Sequence, residues 1–280
     1  MDKQPLPPTL RTRVALVTGG ARRVGKAIAI ELARRGARVA VHANSSLDEA
    51  YALCELLEEE FGADAAAFEA DLAEDGAPAD LVERVTRHFA RFGEAGDAEV
   101  GRIDILVNSA AVWPKQPLEE LTGEDARRCL QVNTVAPLLL AKEAGLRMAE
   151  QATGGVILNL GDVATAPDGV PPTGYAGYHA SKAAIPGITR ALAIELAERN
   201  PRVRVNAVLP GPVICEHLPD EPEDPPARKE FVRKAALITT PNEGAYGRAE
   251  HVAHAVAMLV ENPFITGVAL PVDGGTRLKR

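Results

Sequence analysis

Short apolar runs alternate with longer stretches of helical periodicity along most of this chain. Val14-Ala15-Leu16-Val17 is the first run; it ends in Thr18-Gly19-Gly20, and an alanine-rich helical stretch follows from Val24 to Arg35. A second run, Arg38 to Ala43, leads into an amphipathic stretch from Leu47 to Phe61, and a third, Ala65 to Phe68, into another from Ala79 to Phe92. Ile103 to Val107, Val156 to Leu160, Val203 to Val208 and Val268 to Val272 read as four further buried strands. Strands separated by helices imply right-handed crossovers, so the pattern predicts an α/β fold, a doubly wound parallel sheet of seven strands. Ligands of such sheets bind beyond the carboxyl ends of the strands, which directs attention to the turns after Val17, Ala43, Val107, Leu160 and Val208.

Two stretches interrupt the rhythm. Gly93 to Gly101 reads as an exposed insertion without direct function, and residues 212–229, rich in proline and acid, read as a substrate-side loop or lid. Residues 1–12 are expected to be a flexible N-terminal segment ahead of a single domain spanning 13–280. A 46% hydrophobic share suffices for one sizeable core, while a net charge of −8 argues against nucleic acid or an anionic membrane as the main partner. A small-molecule role fits better. No apolar run approaches the roughly 18–20 residues of a membrane helix, so a cytoplasmic protein is expected. Cys54, Cys129 and Cys215 lie far apart, which predicts free thiols and no metal site.

Candidate chemistry begins at the first turn. Thr18-Gly19-Gly20-Ala21-Arg22-Arg23-Val24-Gly25 stands after the first strand and opens the first helix, where a dinucleotide fingerprint belongs. Glycines there let the backbone approach a pyrophosphate, and the helix N-terminus offers free N–H groups and positive potential. At the end of the second strand an acid would hold the ribose 2′-hydroxyl of NAD, but the chain reads His42-Ala43-Asn44-Ser45-Ser46. Arg22 with the hydroxyls of Ser45 and Ser46 suits a 2′-phosphate instead, so NADPH/NADP is the expected cofactor. Further along, Tyr178 and Lys182 are separated by just over one helical turn and so share a helix face. An ammonium beside a phenol favours the phenolate, and the pair suits proton transfer near neutral pH.

Taken in order, these motifs resemble the short-chain dehydrogenase/reductase family from about Arg13 to Gly275. The likeness rests on Thr18 to Gly25, Asp71-Leu72, Val107-Asn108-Ser109-Ala110, Asn133, Tyr178 with Lys182, Pro210-Gly211, and Val272-Asp273-Gly274-Gly275. It implies a Rossmann-like sheet, NAD(P)-linked carbonyl or imine chemistry, and a homo-oligomer, tetramer or dimer. It further implies a cofactor site of Gly19, Arg22, Arg23, Val24, Asn44, Ser45, Ser46, Asp71, Leu72, Asn108, Ser109, Ala110, Pro210 and Gly211. Tyr178 would donate the proton, Lys182 would bond the nicotinamide ribose, and the Asn133 carbonyl would hold a relay water. Pro137, four residues beyond Asn133, has no N–H to take that carbonyl in a regular helix; its alternative role is a packing kink.

The family pattern is broken in one place that matters. Most members carry a serine after the fifth strand; aligning on the strand puts Asp162 there, whereas counting back from Tyr178 lands on Thr165. A carboxylate is a poor partner for a ketone oxygen but accepts from N–H donors and relays protons, which suits a nitrogen heterocycle. Arg23 in place of the middle glycine of the turn, Trp113 after the fourth strand and Tyr175 ahead of Tyr178 are shared with the pteridine reductase branch. The leading expectation is NADPH-dependent reduction of a pterin-like or other C=N-containing heterocycle, with Tyr178, Asp162, Lys182 and Asn133 catalytic and Arg23, Trp113 and Tyr175 against the substrate. Two alternatives stand: an NADPH-dependent reductase of 3-oxoacyl thioesters or ketones using Thr165, and a catalytically silent NADP-binding redox sensor.

Overall fold

The computed structural model describes residues 9–90, 101–214, 236–238 and 246–278. All of the Gly93–Gly101 insertion but Gly101, most of the 212–229 segment, most of residues 1–12 and Cys215 lie outside the described residues. Strands β1 (Val14–Thr18), β2 (Arg38–Ala43), β3 (Ala65–Glu69), β4 (Ile105–Asn108), β5 (Gly155–Leu160) and β6 (Val203–Pro210) follow in chain order. They alternate with helices α1 (Arg23–Arg34), α2 (Leu47–Phe61), α3 (Ala77–Phe89), α4 (Gly123–Leu130), α5 (Ala136–Glu150), α6 (Ala176–Ala183) and α7 (Ile185–Arg199). Two short strands, β7 (Val213–Ile214) and β8 (Gly247–Arg248), pair with each other before α8 (Ala249–Glu261) and β9 (Ala269–Val272).

The main sheet has seven strands in the order β3-β2-β1-β4-β5-β6-β9, all parallel. Side-chain alternation divides its core into two layers. Ala15 and Val17 face Ile28, Leu32, Leu57, Val252 and Val256, whereas Val14 and Leu16 face Leu81, Val85, Phe89, Leu140 and Met148. The sheet is therefore covered on both faces, as its continuous apolar strands require.

The fourth strand starts two residues later than its apolar run predicts. Asp104 is buried, and its carboxylate accepts from the Val14 N–H at 2.9 Å and from Arg13 and Arg102. Side-chain bonds there replace part of the ladder. The strand order reverses between β1 and β4, so Thr18 and Asn108 stand side by side at the crevice where such sheets bind ligands.

Candidate active site

At the β1–α1 turn Gly19 has φ +60°, and a Cβ there would lie 2.9 Å from the Ala110 Cα. Gly25 is tighter still: its Cβ would meet the Gly19 carbonyl oxygen at 2.1 Å. Only glycine fits either place. Thr18, buried, accepts from the N–H groups of Ser109 (3.0 Å) and Ala110 (3.1 Å), tying the two switch-point strands together.

His42 completes this turn. It interrupts the apolar stretch Val39–Ala43 of β2, and its Nδ1 accepts from the Gly19 N–H at 3.1 Å while its Nε2 faces the Ala70 carbonyl at 3.0 Å. That pairing fixes the neutral tautomer with hydrogen on Nε2, and burial pushes the imidazole down to about 4.

A cleft of about 190 Å³ opens beside the turn, and it gathers Gly19, Arg22, Asn44, Ser45, Ser46, Asp71, Leu72 and Ala110. These residues come from the turns after β1, β2, β3 and β4, whereas Arg23, Val24, Asn108, Ser109, Pro210 and Gly211 do not line it. Arg22 pairs with Glu49 at the start of α2. Asp71 uses its carboxylate to cap its own turn, accepting from the Ala73 N–H at 2.9 Å. Arg128 of α4 also lines the cleft, a cation that no local pattern singles out. Asn108 is buried behind it, donating to Asn159 (2.9 Å) and to the Pro137 carbonyl (3.2 Å). Pro210 ends β6, and Gly211 after it packs against Asp273.

Arg23 occupies the left-handed region at φ +52°, which explains why a glycine suits this place. Its guanidinium carbon lies 5.3 Å from the centroid of the Trp113 ring, a cation–π contact, and Trp113 is 43% exposed. The two residues expected to orient a planar substrate are therefore in contact.

The candidate proton-handling residues come from the turn after β5 and from α6. Tyr178 Oη donates to Asp162 Oδ2 at 2.8 Å, and the other oxygen of Asp162 accepts from the Ala164 N–H at 2.8 Å. Thr165 turns away: its hydroxyl donates to the Asp162 backbone carbonyl at 2.7 Å. Asp162, rather than Thr165, is the group placed against the phenol. Lys182 is buried and donates to the Leu160 carbonyl at 2.7 Å; burial, opposed by Asp162, pushes it down to about 8. Tyr175 stands edge-on to Tyr178, with ring centroids 6.5 Å apart.

The expected lowering of the phenol pKa by Lys182 is not what the protein shows. Burial and then the Asp162 carboxylate raise Tyr178 far above the ordinary phenol range. The site holds a protonated phenol whose hydrogen is already engaged by an acid.

Asn133 lies at the point where the helix after Thr122 changes pitch. Thr122 and Asp125 form a reciprocal capping box, α4 runs to Leu130, and residues Gln131–Val135 widen into a π turn before Pro137. The Asn133 side chain accepts from the Val112 N–H (2.9 Å) and donates to the Val112 carbonyl (2.8 Å) and to Ser181 Oγ (2.9 Å). It thus clasps the segment bearing Trp113 to the helix bearing Tyr178 and Lys182.

A glycine cradle, a reversed strand order above it and a Tyr-Lys pair beside the fifth strand define a dinucleotide-linked oxidoreductase class of site. The chain belongs to the short-chain dehydrogenase/reductase family: residues 19–277 match the family model described as Enoyl-(Acyl carrier protein) reductase. It is 33% identical over 266 residues to a 3-oxoacyl-[acyl-carrier-protein] reductase of Homo sapiens, covering 95% of this chain and 98% of that one. A short-chain dehydrogenase/reductase from Serratia marcescens superposes with a TM-score of 0.80 at 33% identity, covering 98% of this chain and 100% of the other. A short chain dehydrogenase from Burkholderia cenocepacia in complex with NADP gives 0.79 at 34% identity, covering 95% and 98%. Among the described residues no group of His, Cys, Asp and Glu could hold a metal ion, and no helix is long and apolar enough to cross a membrane.

Proposed function

We propose that this protein is an NADPH-dependent reductase of a pterin-like or other C=N-containing heterocycle. The observation that carries this reading is the 2.8 Å hydrogen bond from Tyr178 to Asp162 at the place where the family usually has a serine. The cofactor assignment is supported by the Gly19–Gly25 cradle, by Arg22, Asn44, Ser45 and Ser46 around one cleft, and by the NADP-bound Burkholderia cenocepacia relative.

When bound, NADPH supplies a hydride to the ring carbon. Gly19 and the N-terminus of α1 would receive its pyrophosphate, and Arg22, Ser45 and Ser46 its 2′-phosphate. Arg23 and Trp113, stacked on each other, would present one wall to the planar substrate, and Tyr175 another. The Tyr178 hydroxyl would turn from Asp162 to the substrate nitrogen and give up its proton as that atom gains charge. Asp162 accepts an N–H of the heterocycle, which fixes which edge of the ring faces Tyr178. Lys182, charged below about pH 8, would bond the nicotinamide ribose.

A second reading, reduction of 3-oxoacyl thioesters, is favoured by the name of the human relative. It asks for a hydroxyl donor toward the carbonyl, and Thr165 spends its hydroxyl on the Asp162 backbone. The test is NADPH oxidation with dihydrobiopterin, biopterin, an acetoacetyl thioester and a simple quinone, each with wild type and Tyr178→Phe. Turnover of a pterin that Tyr178→Phe abolishes supports the proposal; turnover of the thioester alone sinks it.

A further inference from the structure

The last turn of the chain reaches the loop that carries Asp162. The Asp273 side chain is 4% exposed and accepts from the N–H groups of Gly275 (3.1 Å) and Arg277 (3.1 Å), which makes residues 273–278 a tight, self-capped turn. The Arg277 guanidinium then bridges two acids, donating from Nη1 to Asp273 at 2.9 Å and from Nε to Asp168 at 3.0 Å. Asp168 sits in the loop after β5, 109 positions away in sequence. Its neighbour Gly169 lies so close to the turn after Asp162 that a Cβ would stand 2.3 Å from the Val163 carbonyl oxygen and 2.6 Å from that of Ala164. Ala164, finally, donates to the same Asp162 carboxylate that receives the Tyr178 hydroxyl. The same turn also seats the 236–238 segment, whose Leu237 N–H donates to the Gly274 carbonyl at 2.8 Å.

We infer that Arg277 is a positioning residue: by clamping Asp168 to Asp273 it presses the 163–169 loop inward and fixes the carboxylate of Asp162 against Tyr178. The clamp matters because a carboxylate misplaced by an ångström no longer takes the phenol's hydrogen while facing the substrate. A planar guanidinium can bridge two separate acids through a fixed fork, which an ammonium cannot reproduce. This inference rests on the reading of Asp162 as a substrate-facing acid, yet the contact chain itself can be tested without any substrate.

Arg277→Gln and Asp168→Asn are compared by amide hydrogen exchange and by the kinetics of whichever substrate in the panel is turned over. Exchange in the peptide spanning 162–170 should quicken at least about fivefold in both variants while the central strands stay protected. The double variant should be no faster than Arg277→Gln alone, since both substitutions remove the same Arg277–Asp168 contact. In kinetics kcat should fall by about threefold to tenfold with KM for NADPH unchanged, and Arg277→Lys should restore only part of it. Gly169→Ala, which pries the same loop off Val163, should reproduce the exchange signature with Arg277 intact. Unchanged exchange in 162–170, or additive effects of the two single variants, would overturn the clamp. Altered exchange with unaltered kcat would show that the clamp exists and that Asp162 is not the acid, separating its failure from that of the proposed function.

Discussion

Replacing Arg23 by alanine and, separately, by glycine separates what the side chain contributes from what its backbone costs. Arg23 sits at φ +52°, and holding an L-residue left-handed costs about 1–2 kcal/mol. Its guanidinium lies over Trp113 at 5.3 Å, worth about 0.5–1 kcal/mol for a ring this exposed. Alanine loses every side-chain contact and keeps the strain, so Arg23→Ala should be destabilised by about 0.5–1 kcal/mol. Glycine loses the same contacts and relieves the strain, but it also adds about 0.4–1 kcal/mol of freedom to the unfolded chain. The glycine variant should therefore be more stable than the alanine variant by about 0.5–1 kcal/mol, a difference from which all lost contacts cancel. Urea unfolding followed by far-ultraviolet circular dichroism reads it as a higher midpoint for glycine, with a melting temperature about 2 °C higher. Both variants should bind the heterocycle more weakly, because the ring loses its cation. A glycine variant no more stable than the alanine one would refute the claim that this turn is strained.

Asn44→Asp should shift preference from NADPH toward NADH, read as the ratio of kcat/KM values, since a carboxylate repels a 2′-phosphate and holds a 2′-hydroxyl; an unchanged ratio counts against the cofactor assignment. Glu49→Gln should tighten binding of 2′,5′-ADP by a few-fold, because Arg22 is then released from its acid, and leave 5′-AMP unaffected in a fluorescence titration. With Lys182 at about 8, kcat/KM for NADPH should decline above that pH toward about tenfold per unit, and a flat profile to pH 10 would exclude a required ammonium. His42 is neutral in the fold with a pKa near 4 against 6.5 when exposed, so the unfolded chain binds the extra proton between those values. Its contribution to stability is complete above pH 6.5 and is lost as pH falls toward 4, by about 3 kcal/mol, and His42→Gln should flatten that part of a urea-midpoint profile.

The sheet was legible because each strand is a nearly unbroken apolar run and each covering helix shows its own period. Leu47–Phe61 matches at both ends, the far one marked by Gly62 in the left-handed conformation. Asp162 was reachable because strand ends fix which residues face the crevice, whereas counting back from Tyr178 runs through a loop of variable length. Other features left no local trace. The late start of β4 depends on Arg13 and Arg102 meeting Asp104, and β7 and β8 are two residues each with no periodicity to read. The raised phenol pKa could not be foreseen from a lysine one turn away, because burial and the acid opposite outweigh it. His42 did leave a mark, a polar residue inside an apolar strand, while Arg128 and the Asp168–Arg277 contact arise only when distant segments meet.

The central claim is that Asp162 beside Tyr178 selects a nitrogen heterocycle over a ketone. It is tested most directly by the ratio of kcat/KM for dihydrobiopterin to that for an acetoacetyl thioester, with NADPH, in wild type and in Asp162→Ser. The account predicts a ratio favouring the pterin in wild type that falls by at least about a hundredfold in the serine variant, as the pterin loses its acceptor and the thioester gains a hydroxyl donor. A wild-type protein that prefers the thioester, or a ratio that the substitution leaves in place, would contradict it.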